Sequence, residues 1–335
     1  MPAEAPPPFL FSGGGAFVPT GRQTPMTDVI TRAEDTKPAP PVVPPKGGAK
    51  ERWSRRAPLL PALIFAIIIT QVPFLFTIYY STLSWNALRP GVRDFVGFDN
   101  YLTVLTDDRL RSALLNTVIL TAGAVIFSMI LGLGLAILMD RKFLGRGIVR
   151  TMLITPFLIM PVAAALLWKH GIFNPDYGLI NGIFGGNTAW TTSYPKAAII
   201  TTLVWQWTPF MMLILLAGLQ SQSNEVLEAA RVDGAGAWRI FTTMTLPHLR
   251  QYLELGALLG SIYLVNTFDA IFTITQGGPG TATTNLPYEI YQTIFSKYEY
   301  GEASAAGVVV VILTIIVANF ALRVISGLFK MEEGR

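Results

Sequence analysis

Glu228-Ala229-Ala230-Arg231-Val232-Asp233-Gly234-Ala235, running on to Leu246-Pro247, lies in a polar break between two long apolar segments. Its residue types spell a short helix and a sharp exit. Ser223 and Asn224 are polar helix starters, and Glu225 and Glu228 put acidic groups in the early turns, where the helix dipole favours them. Gly234 after Asp233 can take the left-handed backbone that stops a helix, and Gly236-Ala237-Trp238 lets a second helix leave at a new angle before Pro247. The expected product is a helix-turn-helix elbow at 221–248. Ala229, Ala230, Gly234, Ala235 and Gly236 would let another backbone approach closely, while Glu228, Arg231 and Asp233 offer charge-assisted hydrogen bonds. An ordinary amphipathic loop is the plainer alternative.

Around the elbow the chain reads as membrane. Of 335 residues 51% are hydrophobic and only 14% charged, against about 25% charged in soluble domains. Six segments are long and apolar enough for spans of ~20 residues: Leu59–Leu83, Leu114–Met139, Thr151–Trp168, Ala197–Leu219, Tyr252–Ile274 and Ala303–Leu328. Pro61, Pro73, Pro156, Pro161 and Pro209 predict kinks, tolerated in a bilayer where neighbours or a cavity satisfy the freed carbonyls. Residues 1–57 hold 11 of the 23 prolines without helical or strand periodicity, so a disordered tail is expected. The tail is too long and polar for a cleaved leader, which makes Leu59 onward an uncleaved anchor; Met26 opens a more ordinary start. The membrane body is then 58–330, with a short terminal segment at 331–335.

Orientation follows from Lys and Arg in the connections. With both termini in the cytosol, 18 of the 25 Lys and Arg fall inside, including Arg141, Lys142, Arg146 and Arg150. The elbow lands in the cytosol without having been used to set the orientation. No cysteine is present, so neither a disulfide frame nor a thiolate metal site can form.

The spacing Glu-Ala-Ala, three residues, Gly, nine residues, hydrophobic, one residue, Leu-Pro occurs here as Glu228, Ala229, Ala230, Gly234, Met244, Leu246 and Pro247. It resembles the cytoplasmic signature of permease subunits of binding-protein-dependent ABC importers; Met244 stands where the family usually has Ile. The resemblance implies an all-α, polytopic membrane protein with the six-helix core of a type I importer permease, in a bacterial plasma membrane. It also implies an elbow that seats in an ATPase subunit through Glu228, Ala229, Ala230, Asp233 and Gly234. Implied partners are a second permease, two ATPase subunits that hold ATP and Mg, and an extracytoplasmic solute-binding protein, besides membrane lipid; no nucleic acid is expected.

A second stretch narrows the solute. Phe268-Asp269, Thr275-Gln276-Gly277-Gly278-Pro279, then Thr283-Thr284-Asn285-Leu286-Pro287 resembles the region after the fifth core helix of maltose-type carbohydrate permeases. On residues alone, Gly277-Gly278-Pro279-Gly280 must be a turn. Polar groups inside spans usually face a cavity or a neighbouring helix, which singles out Gln206 between Trp205 and Trp207, the group Asn266, Thr267 and Asp269, and Asn319. Planar hydrogen-bonding groups beside aromatic faces suit a sugar. By the resemblance, Phe157, Trp207 and Thr267 fall where that family lines its pathway. The alternative keeps Trp205 and Trp207 as interfacial belt residues and Asn266 as a helix–helix hydrogen bond.

Catalytic chemistry is poorly supported. No Gly-Lys dipeptide exists, so no Walker-type phosphate loop is possible in this chain. His170 and His248 are far apart, and neither sits in a Ser/His/Asp or metal-ligand pattern. The central parts of the last three spans lack Lys and Arg, which favours an uncharged solute over a phosphorylated one. The expectation is therefore a non-enzymatic transport subunit for a sugar or sugar alcohol. Its rivals are a glycerol phosphate permease and a non-transporting membrane scaffold.

Overall fold

The structure, a computed structural model, describes residues 57–89 and 91–333, with side chains through 324. The expected proline-rich tail through residue 56, the alternative start at Met26 and the side chains of 331–335 lie outside the described residues. Ala57–Leu59 is one 3-10 turn. It leads to helices α1 Leu60–Ser81, α2 Asp99–Thr106, α3 Asp108–Asp140, α4 Arg146–Leu158, α5 Pro161–Leu166, α6 Leu179–Phe184 and α7 Trp190–Ser193. These are followed by α8 Pro195–Gln220, α9 Asn224–Val232, α10 Ala237–Ile240, α11 Leu246–Val265, α12 Leu286–Phe295 and α13 Tyr300–Glu333. Among the described residues no strand forms; Leu83 with Phe95 and Asn86 with Glu299 make isolated bridges.

Four of these helices are long and apolar enough to cross a membrane: α1, α3, α8 and the Tyr300–Val324 part of α13. They coincide with the first, second, fourth and sixth expected spans. The third and fifth spans differ from expectation in an instructive way. Where Thr151–Trp168 was expected to kink, α4 and the stretch Pro161–Ile172 meet at 96°. Pro161 has no N–H to continue the ladder, and its ring forces the preceding residue out of the helical region. Ile159 and Met160 are accordingly extended, with ψ of 135° and 133°.

The fifth expected span, Tyr252–Ile274, is interrupted. Helix α11 stops at Val265, and the chain resumes its helical course in a wide turn over Ile271–Thr275, closed by the Gln276 N–H on the Ile271 carbonyl at 2.8 Å. The side chain of Asn266 donates to the Ile262 carbonyl at 2.8 Å, which satisfies an otherwise orphaned helix-end acceptor and makes the stop stable. The first half of α11 also carries the Arg250–Glu254 pair at 3.0 Å, so this helix is less apolar than its neighbours.

Packing is closest where α3, α8 and α11 meet. A Cβ on Gly132 would lie 2.8 Å from Met211 Cβ, and one on Gly260 would lie 2.4 Å from Met211 Cε. The absence of those atoms lets the helices touch, the usual device for helix contact in lipid. Met211, Met212, Leu215 and Leu216 are fully buried there. The α3 helix starts on a strong cap: Asp107 accepts from the N–H groups of Arg109 at 2.7 Å and Leu110 at 3.1 Å.

Candidate functional site

The break before Pro161, the break after Val265 and the middle of α8 border one space. At the first, the freed Ile159 carbonyl accepts from the amide of buried Gln206 at 3.1 Å. At the second, the Thr267 carbonyl accepts from Asn285. Two interruptions in otherwise apolar helices thus expose main chain toward one space, the arrangement that membrane proteins tolerate only beside protein or a cavity.

That space is a cleft of about 310 Å³. Phe157, Gln206, Trp207, Asn266, Thr267 and Asp269, each singled out from the sequence, all line it. The structure brings together residues from three of the expected spans. Trp207 is the centre of an aromatic wall: its ring lies 5.6 Å from those of Phe157, Phe210 and Tyr263, and Phe157 stacks on Phe210 at 5.3 Å. Asp269, which also lines the cleft, makes no hydrogen bond or ion pair among the described residues, and no Lys or Arg lines it. The lining combines flat aromatic faces with amides and a carboxylate.

Two of the polar and aromatic candidates lie elsewhere. Trp205 packs against Trp168 at 5.7 Å, and the Asn319 amide donates to its own helix at Ile315, 2.8 Å away. Conversely, Tyr263 and Phe268 line the cleft without having been singled out. Tyr263 stands three residues before Asn266, hence on the same helical face, which is the signal that could have found it.

The Thr-Gly-Gly-Pro stretch has a different task. Gly277 has φ +81°, and its carbonyl accepts from the Thr283 N–H at 3.0 Å and the Thr284 hydroxyl at 3.3 Å. Asn116 on α3 donates to the carbonyls of Thr281 and Thr284, both at 2.9 Å. Thr117 accepts from the Leu286 N–H at 2.9 Å, and Asn285 caps α12 through the Tyr288 N–H at 3.2 Å. Asn285 therefore bonds the cleft segment at Thr267 and the helix behind it. Further out, Glu289, fully buried, accepts from Arg109 at 2.9 Å and from Lys297 at 3.1 Å. This stretch does not line the cleft; it is a brace that fixes the Asn266–Ala270 wall.

The elbow forms beyond the C-terminal end of α8. Helix α9 begins after extended Ser223, whose side chain makes no capping bond, so the first turn relies on Glu225. Its exit is a Schellman motif: the Ala235 N–H bonds the Ala230 carbonyl at 3.0 Å and the Gly234 N–H bonds the Arg231 carbonyl at 3.1 Å. Gly234 has φ +83°, and a Cβ there would meet nothing within 4 Å. Conformation alone demands glycine at this position. Past α10 the chain makes a wide turn over Phe241–Thr245, which leads into Leu246-Pro247 in the first turn of α11, where a missing N–H does no harm.

No side chain of α9 is buried. Glu228, Arg231 and Asp233 are exposed and make no ion pair among the described residues, and Val226, Val232 and Trp238 present 51%, 88% and 77% of their surface. This end of the molecule thus displays an apolar and charged surface on a main-chain frame fixed by its own hydrogen bonds.

Residues 124–330 match the family described as binding-protein-dependent transport system inner membrane component. The chain is 33% identical to a probable ABC transporter permease protein of Sinorhizobium fredii over 82% of its length and 93% of that protein's. It is 32% identical to the trehalose transport system permease protein of Mycobacterium tuberculosis, covering 75% and 81% of the two chains. Its fold matches the crystal structure of a bacterial ABC transporter involved in import of the acidic polysaccharide alginate, with TM-score 0.68 and 23% identity over 83% of this chain and 96% of that one. Elbow, interrupted helices and matched segment agree: the chain belongs to the family of binding-protein-dependent transport system inner membrane components, the permease subunits of ABC importers.

Proposed function

We propose that this permease subunit moves an uncharged sugar or sugar alcohol into the cytoplasm of a bacterial cell, both termini lying on the cytoplasmic side of the plasma membrane. The observation that carries the proposal is the cleft. Its aromatic wall at Phe157 and Trp207 suits the C–H face of a pyranose or polyol, while Gln206, Asn266, Thr267 and Asp269 suit its hydroxyls. Asp269 accepts hydrogen bonds from vicinal hydroxyls, and without a cationic lining group it repels a phosphate or carboxylate. The trehalose relative supports a sugar as solute.

A second permease subunit completes the pathway, an extracytoplasmic binding protein delivers solute, and two ATPase subunits hold ATP and Mg. The elbow seats in one ATPase through the surface of Glu228, Ala229, Ala230, Asp233 and Gly234. Closure of the ATPase pair pushes on it, and the helices it joins, α8 and α11, are the two that supply Gln206, Trp207 and Tyr263 to the cleft. Force applied at the elbow therefore reaches the solute site along two helices, a rigid-body route to alternating access.

The test is uptake of labelled trehalose, maltose, sorbitol and glycerol 3-phosphate by cells lacking the chain, with and without its restoration. Loss and rescue confined to neutral solutes is the expected result. Loss confined to glycerol 3-phosphate overturns the reading of the cleft, and unchanged uptake of all four removes the proposed solute class.

A further inference from the structure

The 25 residues between Ser221 and Pro247 leave and re-enter the bundle at one place, and the side chains there are tied together. The Ser221 hydroxyl lies 2.8 Å from the Gly218 carbonyl, 3.0 Å from His248 Nε2 and 2.9 Å from the Tyr252 hydroxyl. A serine hydroxyl has one proton and two lone pairs. All three contacts are satisfied at once when Ser221 donates to Gly218 and accepts from both His248 Nε2–H and Tyr252 O–H. This tautomer of His248 follows from the network.

Packing doubles the tie. Gly218, on the last turn of α8, is buried; a Cβ on it would sit 2.6 Å from Tyr252 Cδ2 and 2.7 Å from Leu249 Cδ2. The Tyr252 ring thus lies directly on the α8 main chain while its hydroxyl holds the residue that ends α8. Beyond this point α9 is held lightly: none of its side chains is buried, and Leu227 and Ala230 are only half-covered.

We infer that Ser221, His248 and Tyr252 form a clamp that makes α8 and α11 move as one when the elbow is loaded. This rests on the proposed seating of the elbow in an ATPase. Without the clamp, the non-helical segment Ser221–Ser223 would flex and absorb the displacement on the α8 side, whereas Phe241–Thr245 runs on helically into α11. The three side chains are positioning residues: they touch no solute and act through the two helices that line the cleft.

The chain lacks cysteine, so it can be spin-labelled singly or in pairs, then joined to its unlabelled partner subunits and the complete importer purified through a tag on this chain. A pair at Gln220→Cys and Gln251→Cys reports the spacing of the two helix ends; a single label at Val232→Cys reports elbow seating. The dipolar coupling of the pair is expected to be the same without nucleotide and after trapping with ATP and vanadate. In Tyr252→Phe, which keeps the ring on Gly218 and removes only the hydroxyl, and in Ser221→Ala, trapping is expected to shift it. His248→Gln, which retains a donor, restores the invariance that His248→Leu loses. A shift on trapping with the clamp intact, or none in Tyr252→Phe and Ser221→Ala, overturns the clamp. A Val232 label as mobile in the importer as in the isolated chain removes the seating itself, and the clamp with it.

Discussion

The brace at Gly277–Lys297 and the elbow at Ser223–Arg239 are the two stretches the sequence marks most clearly, and they solve opposite problems. In the brace, Thr283, Thr284, Asn285, Leu286 and Glu289 are all at most 2% exposed, and the polar groups among them have partners within the chain. In the elbow no α9 side chain is buried, and only the main chain is internally satisfied. Each contains a glycine with φ near +80°, Gly277 and Gly234. One holds a wall of the cleft still; the other holds a surface open. A motif in a sequence therefore marks constraint without saying whether the constraint faces inward or outward.

The comparison can be broken at its strongest point first. Removing both cations from Glu289, by Arg109→Ala with Lys297→Ala, leaves a fully buried carboxylate unpaired. A loss of about 3–5 kcal/mol is expected, read as a lower thermal midpoint in detergent; a midpoint equal to wild type would show the brace to be dispensable. Gly277→Ala combines left-handed backbone strain with a Cβ only 2.4 Å from Thr284 Oγ1 and 2.8 Å from Tyr288 Cε1. Strain of about 1–2 kcal/mol and overpacking of about 1–3 kcal/mol add there, measurable by the same melt.

Gly234→Ala carries the strain without the clash, about 1–2 kcal/mol, and the damage stays local. Limited trypsin digestion at Arg231 and Arg239 is expected to quicken while the global midpoint hardly moves. Equal effects of the two glycine substitutions would refute the contrast. The smallest effect belongs to Trp238→Ala, within about 0.5 kcal/mol for the isolated chain because the side chain is exposed, while ATPase subunits are expected to co-purify less. A large loss of stability there would mean that the elbow surface is already in use within the chain.

Hydropathy located α1, α3, α8 and α13 to within a few residues, because a membrane span needs little beyond length and apolarity. It was blind to the stop at Asn266, since an amide that satisfies its own helix end looks like any polar residue in a span. Pro161 announced a disturbance, yet not its partner: the freed Ile159 carbonyl is held by Gln206, 47 residues on from Ile159. Trp205 and Trp207 looked equivalent, although residues two apart on a helix point about 200° apart, so one at most can face the cleft. The role of the Thr-Gly-Gly-Pro stretch stayed hidden because its partners, Asn116 and Thr117, lie 165 residues or more away in the chain. Local motifs were legible; long-range hydrogen bonds were not.

The Schellman exit of α9 has one more consequence. Its closing hydrogen bonds run between main-chain atoms of Ala229 to Ala235, so the outline of the elbow is indifferent to most of the side chains it displays. Exposed residues such as Val226 and Val232 can be exchanged without refolding the connector or disturbing the helices behind it, provided an acidic group stays at Glu225 in the first turn. The surface offered to a partner is thereby a separable trait: the exposed face of α9 can be rewritten while the bundle stays the same.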